Sequence, residues 1–255
     1  MGRKTTHIGT SGWHYRHWQG PFYPLELPKE EMLDYYAGLF HTVEINNTFY
    51  KLPAKDTLLK WRNNTPDGFV FAVKASRYIT HMKKLKDPGE PVSNFLGRMD
   101  ALGDKLGPVI FQLPPRWRFN PERFHSFLEA LPSGYRYAFE FRDESWFDER
   151  AYRELEERGA AFCIYEFSGR TSPRKVTADF IYIRLHGPKG PYQGDYDQRT
   201  LAGWAGALHT WSGKGKDIYC YFDNDDRGYA ALNALSLQAM ADKGRDSDGR
   251  GRDKA

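Results

Sequence analysis

Residues 42–50 open as a strict alternation. Val43 and Ile45 point one way; Glu44, Asn46 and Thr48 point the other. A period of two with one polar face normally marks a strand half exposed to solvent. The same pattern returns four more times. Ala72, Val73 and Lys74 end an apolar run on a charge, as Ile110, Phe111 and Gln112 end one on an amide. Phe139 to Arg142 alternates with Glu140 and Arg142, and Ile183 to His186 with Arg184 and His186. Further strands are predicted over 7–13, 161–166 and 218–222.

Helical spacing of apolar residues lies between most of these strands. It predicts helices over 30–40, over 92–106 (Phe95, Leu96, Met99 and Leu102 inward) and over 201–211. A helix capped by Asp56 carries Leu58, Leu59 and Trp61, and another starts at Pro121 with Phe124, Phe127, Leu128 and Leu131 facing in. Residues 148–158 form a charged helix stopped by Gly159, and a last helix runs over about 228–241. The stretch 77–88 reads as a basic loop. Residues 168–179, with Gly169, Pro173 and several hydroxyls, carry no helix.

Strands alternating with helices argue for a parallel sheet. About eight such units in 255 residues predict a single (β/α)₈ TIM-type barrel over 1–242, irregular after the sixth strand. A doubly wound open sheet is the alternative. In a barrel, alternate strand residues face the interior or the helices. The set Val43, Ile45, Phe71, Val73, Phe111, Leu113, Phe139, Phe141, Ile183 and Leu185 is apolar and faces helices. The opposite set, Glu44, Asn46, Lys74, Gln112, Glu140, Arg142, Arg184 and His186, must face inward at the carboxyl ends of the strands. Barrel active sites lie there.

Composition changes this picture little. Hydrophobic residues make up 40% and aromatics 16%, enough for a large core despite a mean hydropathy of −0.71. The net charge of +4 is interspersed rather than clustered, so it does not by itself argue for nucleic acid. Cys163 and Cys220 sit in apolar strands and read as buried thiols. No apolar signal segment and no long apolar run occurs, which predicts a cytoplasmic protein with no membrane partner. Residues 243–255 hold only Gly, Asp, Arg, Lys, Ser and Ala, and are expected to form a disordered tail.

The inward set supplies the candidate chemistry. Glu44, Glu140 and His186 are the candidate acid–base residues. Lys74, Arg142 and Arg184 would hold an anion, with Gln112, Asn46 and Asn224 as polar contacts. His81, Trp13, Tyr15 and Trp146 complete the expected binding surface. A satisfied ionic network that only closes the mouth is the competing reading. The aromatic residues 13–23 could pack as a lid or stack on a sugar or base. With the basic loop 77–86 they would make a nucleic-acid surface; a non-catalytic metabolite-binding protein is a further alternative. No cofactor is expected. Glu44, Glu140, His81, His186 and Asp225 could ligate a divalent metal. No metal-ligand spacing supports that, and Lys74, Arg142 and Arg184 would repel a cation. Substrate, reaction and oligomeric state are left open.

An ordered set of motifs spans the chain from about residue 7 to 240: Ile8 to Trp13, Val43 to Asn46 with Thr48 to Tyr50, and Thr80 with His81. It continues through Phe111 to Pro115, Phe139 to Arg142 with Ser145 and Trp146, Arg184 to Gly187, and Tyr221 to Asp225 with Gly228 to Ala230, Asn233 and Ala234. Together they closely resemble the YecE-like family, domain of unknown function 72. The resemblance implies a TIM-type barrel and no established reaction. Two positions depart from the family's usual pattern: Asp223, where the family usually has Asn, and Asp143 with Glu144, where His or a neutral residue is usual. Both add negative charge beside the expected mouth and count against a strongly anionic ligand.

Overall fold

The computed structural model describes the backbone of residues 5–252 and the side chains as far as residue 243. Beyond its first residue, the tail expected over 243–255 lies outside those described side chains. Eight parallel strands form a nearly closed barrel: β1 (Thr6–Thr10), β2 (Thr42–Ile45), β3 (Val70–Lys74), β4 (Leu106–Gln112), β5 (Tyr137–Glu140), β6 (Ala161–Phe167), β8 (Phe180–Leu185) and β9 (Asp217–Phe222). Pairing runs β1-β9-β8-β6-β5-β4-β3-β2. A short β7 (Arg170–Thr171) folds back antiparallel on β6.

The barrel closes between β1 and β2 without a regular ladder. Ser11 bridges Glu44, and the Gly12 amide donates to the Glu44 carbonyl at 2.8 Å. Further down the seam, the Tyr36 hydroxyl accepts from the Thr10 amide at 2.9 Å and donates to the Thr42 carbonyl at 3.1 Å. A side-chain hydroxyl thus takes the place of a ladder bond, so both backbone groups stay satisfied. Gly9 makes this possible: a Cβ there would collide with the Thr42 carbonyl.

Outside the barrel run α1 (Met32–Ala37), α2 (Lys55–Asn63), α3 (Gly89–Met99), α4 (Pro121–Glu129), α5 (Glu149–Arg158), α6 (Gln198–Gly213) and α7 (Tyr229–Arg252). Local chemistry sets several of their ends. Asn120 caps α4 by accepting from the Arg123 amide at 2.9 Å, with Pro121 in the first turn. Asp148 caps α5, and Gly159 ends it in the left-handed region at φ 63°. Four expectations are corrected. Asp56 is not the cap of α2; Ala54 holds that position, and Asp56 sits in the first turn. The helix expected over 92–106 is α3 followed by a tighter 3₁₀ segment, Asp100–Lys105, broken at Gly103. The basic loop contains a π-helical turn, Tyr78–Met82. The last helix starts at Tyr229 and continues past 241.

The irregularity after the sixth strand has a definite form. Ser168 and Gly169, both with positive φ, make a two-residue hairpin turn between β6 and β7. Ser172 and Thr177 then accept the amides of Tyr165 and Phe162.

The apolar strand residues expected to face the helices all belong to one outer core with them. Phe111, for example, stacks on Phe139 at 5.2 Å and meets Phe127 of α4 edge-on at 5.1 Å. Each such side chain contributes about 1.5–3 kcal/mol by leaving water. The barrel interior holds a second core: small residues Ala72, Ala138, Ala161 and Cys163 face the bulky Tyr182, Tyr219 and Tyr221. Complementary volumes fill the bore. Cys163 and Cys220 are free and buried, one on each face of the wall. Among the described residues no helix is long and apolar enough to cross a membrane.

Candidate functional site

Above the tyrosine layer, the inward phase of the strands turns polar. Arg184, two residues past Tyr182 on β8, lies at the centre and is wholly buried. Its Nη2 donates to Glu44 at 2.8 Å, to Asp223 at 3.0 Å and to Ser11 Oγ at 3.1 Å. Its Nη1 donates to Glu140 at 2.8 Å and Gln112 at 3.3 Å, and Nε reaches Glu44 at 3.2 Å. Glu44 also accepts from the Tyr182 hydroxyl at 2.6 Å and from Ser11. One guanidinium therefore gathers carboxylates from β2, β5 and the end of β9.

Burial would lower the pKa of this guanidinium, but Glu44, Glu140 and Asp223 drive it well above its usual value. Burial likewise works against the Glu140 charge. Arg142, His186 and Arg184 overcome it and hold the carboxyl well below its ordinary range. Asp223 is lowered in the same way: Arg184 and His186 outweigh its burial.

His186 continues the inward phase of β8 and is fully buried. Its Nδ1 lies 2.9 Å from Asp223 Oδ2. Its Nε2 lies 2.9 Å from Arg142 Nη2 and 3.2 Å from Glu140 Oε1. Nδ1 thus meets the Asp223 carboxylate, while Nε2 lies between the Arg142 guanidinium and the Glu140 carboxylate. Arg142 also pairs with Glu140 and lies over the rings of Phe167 at 4.6 Å and Tyr165 at 5.1 Å. Tyr165, Phe167 and Tyr192 also pack against the His186 ring.

Lys74, at the end of β3, differs from these. It is only 6% exposed. Its Nζ sits 4.3 Å from the Phe49 ring centroid, and no hydrogen bond or ion pair ties it to any other described residue. Burial, followed by the Arg184 charge, lowers its pKa to about 8 against the pull of Asp223, Glu140 and Glu44. His81 stands beside it, edge-on to Phe49 at 4.9 Å. Burial and the cations Lys74, Arg77 and Arg142 pull the His81 pKa down to about 4, so its ring is neutral at pH 7. His81 is thus half-buried on a π-helical turn, rather than in the loop the sequence suggested.

The expected residues divide into two groups. Glu44, Glu140, His186, Lys74, Gln112, Arg142, Arg184 and His81 come together at the mouth. Tyr15 borders it, its hydroxyl donating to the Ser11 carbonyl at 2.7 Å. Asn46 follows β2, half-buried, with Oδ1 unpartnered. Trp13 instead packs edge-on against Trp61 of α2 at 5.0 Å. Trp146 lies in the outer core with Phe141 and Phe124, its indole N–H donating to the Trp117 carbonyl. Asn224 is buried away from the carboxylates, tying Gly194 and Asn233 together. Of the aromatic residues 13–23, Trp13, Trp18, Phe22 and Tyr23 are buried, so they are packing rather than a stacking platform.

Asp223, Ser11 and Tyr182 were not among the candidates, although the signal was present. Each lies in phase with the inward set, two residues from Tyr221, Gly9 and Arg184 respectively. The charge of Asp223 does not face an incoming ligand, since Arg184 and His186 absorb it. Asp143 is likewise spent locally, accepting from the Ser145 amide and hydroxyl. Among the described residues no group of three or more His, Cys, Asp or Glu side chains is arranged to hold a metal ion.

Parallel strands, surrounding helices and polar side chains gathered at the strands' carboxyl ends define a TIM-type barrel with its candidate site at the mouth. Within that class the chain belongs to the DUF72 family: the model for "protein of unknown function DUF72" matches residues 7–253. It is 35% identical to the UPF0759 protein YecE of Escherichia coli (strain K12) over 134 residues, 50% of this chain and 49% of that protein. In that match the chain spans about half the length of the E. coli relative. The UPF0759 protein YunF of Bacillus subtilis (strain 168) is 25% identical over 269 residues, covering 92% of this chain and 94% of the relative. The crystal structure of a DUF72 family protein from Thermotoga maritima MSB8 superposes with a TM-score of 0.85 at 30% identity, over 93% of this chain and 99% of that one. A DUF72 family protein from Enterococcus faecalis V583, at 20% identity and TM-score 0.79, shares the fold over 93% of this chain and 96% of its own.

Proposed function

We propose that the protein is an enzyme acting on a small anionic molecule bound at the barrel mouth, with Lys74 and Arg142 as the anion-holding pair and His186 as the acid–base group. The observation that carries this reading is Lys74: a nearly buried cation with no acceptor among the described residues, above carboxylates already engaged by Arg184. A buried charge left without a partner is costly, and an anionic ligand would supply the partner. The same anion would draw the Arg142 guanidinium off His186 Nε2. That nitrogen could then accept a proton from substrate, with Asp223 holding the tautomer and Glu140 stabilising the imidazolium. Glu44 and Arg184 serve as the rigid floor beneath. The nucleic-acid reading loses Trp13, Trp18, Phe22 and Tyr23 as a stacking surface, because they are buried.

The test is a binding and turnover screen. Calorimetric titration should find carboxylated or phosphorylated small molecules bound in preference to their neutral analogues. Arg142→Gln should weaken that binding about 10–100-fold, the loss of one charge-assisted contact. Mass spectrometry of a metabolite extract should show a component consumed by the wild type and spared by His186→Ala. Equal binding of neutral and anionic analogues, or an extract untouched by the wild type, defeats the proposal.

A further inference from the structure

The two most buried lysines of the barrel wall have the same exposure, 6% each, and opposite surroundings. Lys105, at the amino end of β4, donates to the Thr65 carbonyl at 2.6 Å, the Arg62 carbonyl at 2.7 Å and Thr65 Oγ1 at 3.2 Å. Its ammonium has all three protons placed, which makes it a structural cap on the end of α2. Lys74, at the carboxyl end of β3, has none placed. Its nitrogen rests against the Phe49 face. Its alkyl stem is sealed, and Thr48 Oγ1 donates to its carbonyl at 2.6 Å, which pins the backbone beneath it.

We infer that Lys74 is a nucleophile as well as a cation, forming an imine with the carbonyl carbon of an aldehyde or ketone whose carboxylate or phosphate is held by Arg142. The inference rests on the proposed anion-binding mouth and adds the reacting group of the substrate. Three features support it. The Nζ has no competing protein acceptor, so its lone pair, once free, is not held away from a ligand. The charged groups that act on it are the cation Arg184 and the carboxylates Asp223, Glu140 and Glu44, with the neutral His81 beside it. After burial, the strongest influence is the Arg184 charge, a cation, which favours the neutral amine. With its pKa lowered to about 8, roughly a tenth of Lys74 is unprotonated at pH 7.

The step balances without a further reagent. The amine nitrogen attacks the carbonyl carbon and forms a C–N bond. The carbonyl oxygen takes up two protons and leaves as water, and nitrogen keeps a double bond to carbon. Written from the ammonium, one lysine and one carbonyl compound give one protonated imine and one water. His186 would carry the protons to and from the departing oxygen once Arg142 leaves its Nε2.

The experiment is reductive trapping. The full chain is incubated at pH 7 with pyruvate or with glycolaldehyde phosphate and sodium cyanoborohydride, and the adduct is mapped by peptide mass spectrometry. We expect Lys74 to be modified at least tenfold faster than any surface lysine. A faster pyruvate arm assigns a carboxylate-bearing substrate, and a faster phosphate arm a phosphorylated one. Lys74→Met should lose the fast adduct; Lys74→Arg, which keeps the charge, should lose it too while retaining binding of the anion. Circular dichroism checks that both variants fold. Adducts spread evenly over surface lysines with either probe overturn the inference. If anions are still bound in an Arg142-dependent way, the anion-binding reading survives that loss. If neither occurs, both fall.

Discussion

The two ends of the barrel handle buried charge differently. At the amino end the described charged groups are spent on one another or on backbone carbonyls. Arg136 donates to Asp217 at 2.9 Å and to the Tyr219 hydroxyl at 2.8 Å, His7 stacks on Tyr219 at 4.9 Å, and Lys105 satisfies three acceptors. At the carboxyl end the floor is equally closed around Arg184, but the layer above it is not. Lys74 lacks an acceptor among the described residues, and His186 meets the Arg142 guanidinium beside the rings of Tyr165, Phe167 and Tyr192. Polarity alone does not distinguish the ends. Incomplete satisfaction does, because a structural network gains nothing by leaving a buried cation unpaired.

The comparison can be broken at three points. The largest effect is expected at Arg184. Arg184→Met leaves Glu44, Glu140 and Asp223 facing one another without their shared cation and should cost about 3–5 kcal/mol in urea unfolding. A loss below 1 kcal/mol would mean the floor is not held by charge.

Lys74 should act with the opposite sign. Its pKa is depressed to about 8 from the ordinary lysine value of 10.5. Below pH 8 both states carry the proton and the folded state bears the full cost of the buried charge. Between about pH 8 and 10.5 the unfolded chain binds more protons, so stability rises with pH, by up to about 3 kcal/mol. Lys74→Met should be at least as stable as the wild type at pH 7, and the advantage should shrink toward pH 10.5. Parallel stability curves for the two proteins would show that Lys74 is not the strained cation described here.

Lys105→Met is the smaller counterpart. It leaves the carbonyls of Arg62 and Thr65 unsatisfied at the end of α2 and should cost about 1.5–3 kcal/mol. Ligand affinity at the mouth should not change. A shift in affinity would mean the two ends are coupled.

Much of the barrel was legible in the order of strands and helices. The inward phase of β2, β3, β4, β5 and β8 named eight mouth residues, of which Asn46 lies least deeply. Three aspects were missed. Asp223 and Ser11 were overlooked because their strands were not tested for phase, although Tyr219, Tyr221 and Asp223 alternate plainly. Trp13, Trp146 and Asn224 were drawn in by their place near strand ends, where a residue one step out of phase points to the helices. The π-helical turn carrying His81 has no periodic signal, being a single turn.

The chain's own pattern determined which side chains enter the bore, because the period of two in a strand leaves no other choice once the opposite face is apolar. It could not determine which of those charges neutralise one another. Glu44 and Arg184 lie 140 positions apart, and their pairing depends on barrel closure at the Gly9 and Tyr36 seam. Only the closed structure decided that one guanidinium would take up three carboxylates and that Lys74 would be the cation left over. Pairing among buried charges is a matter of a few ångströms in space, and distance along the sequence carries no information about it.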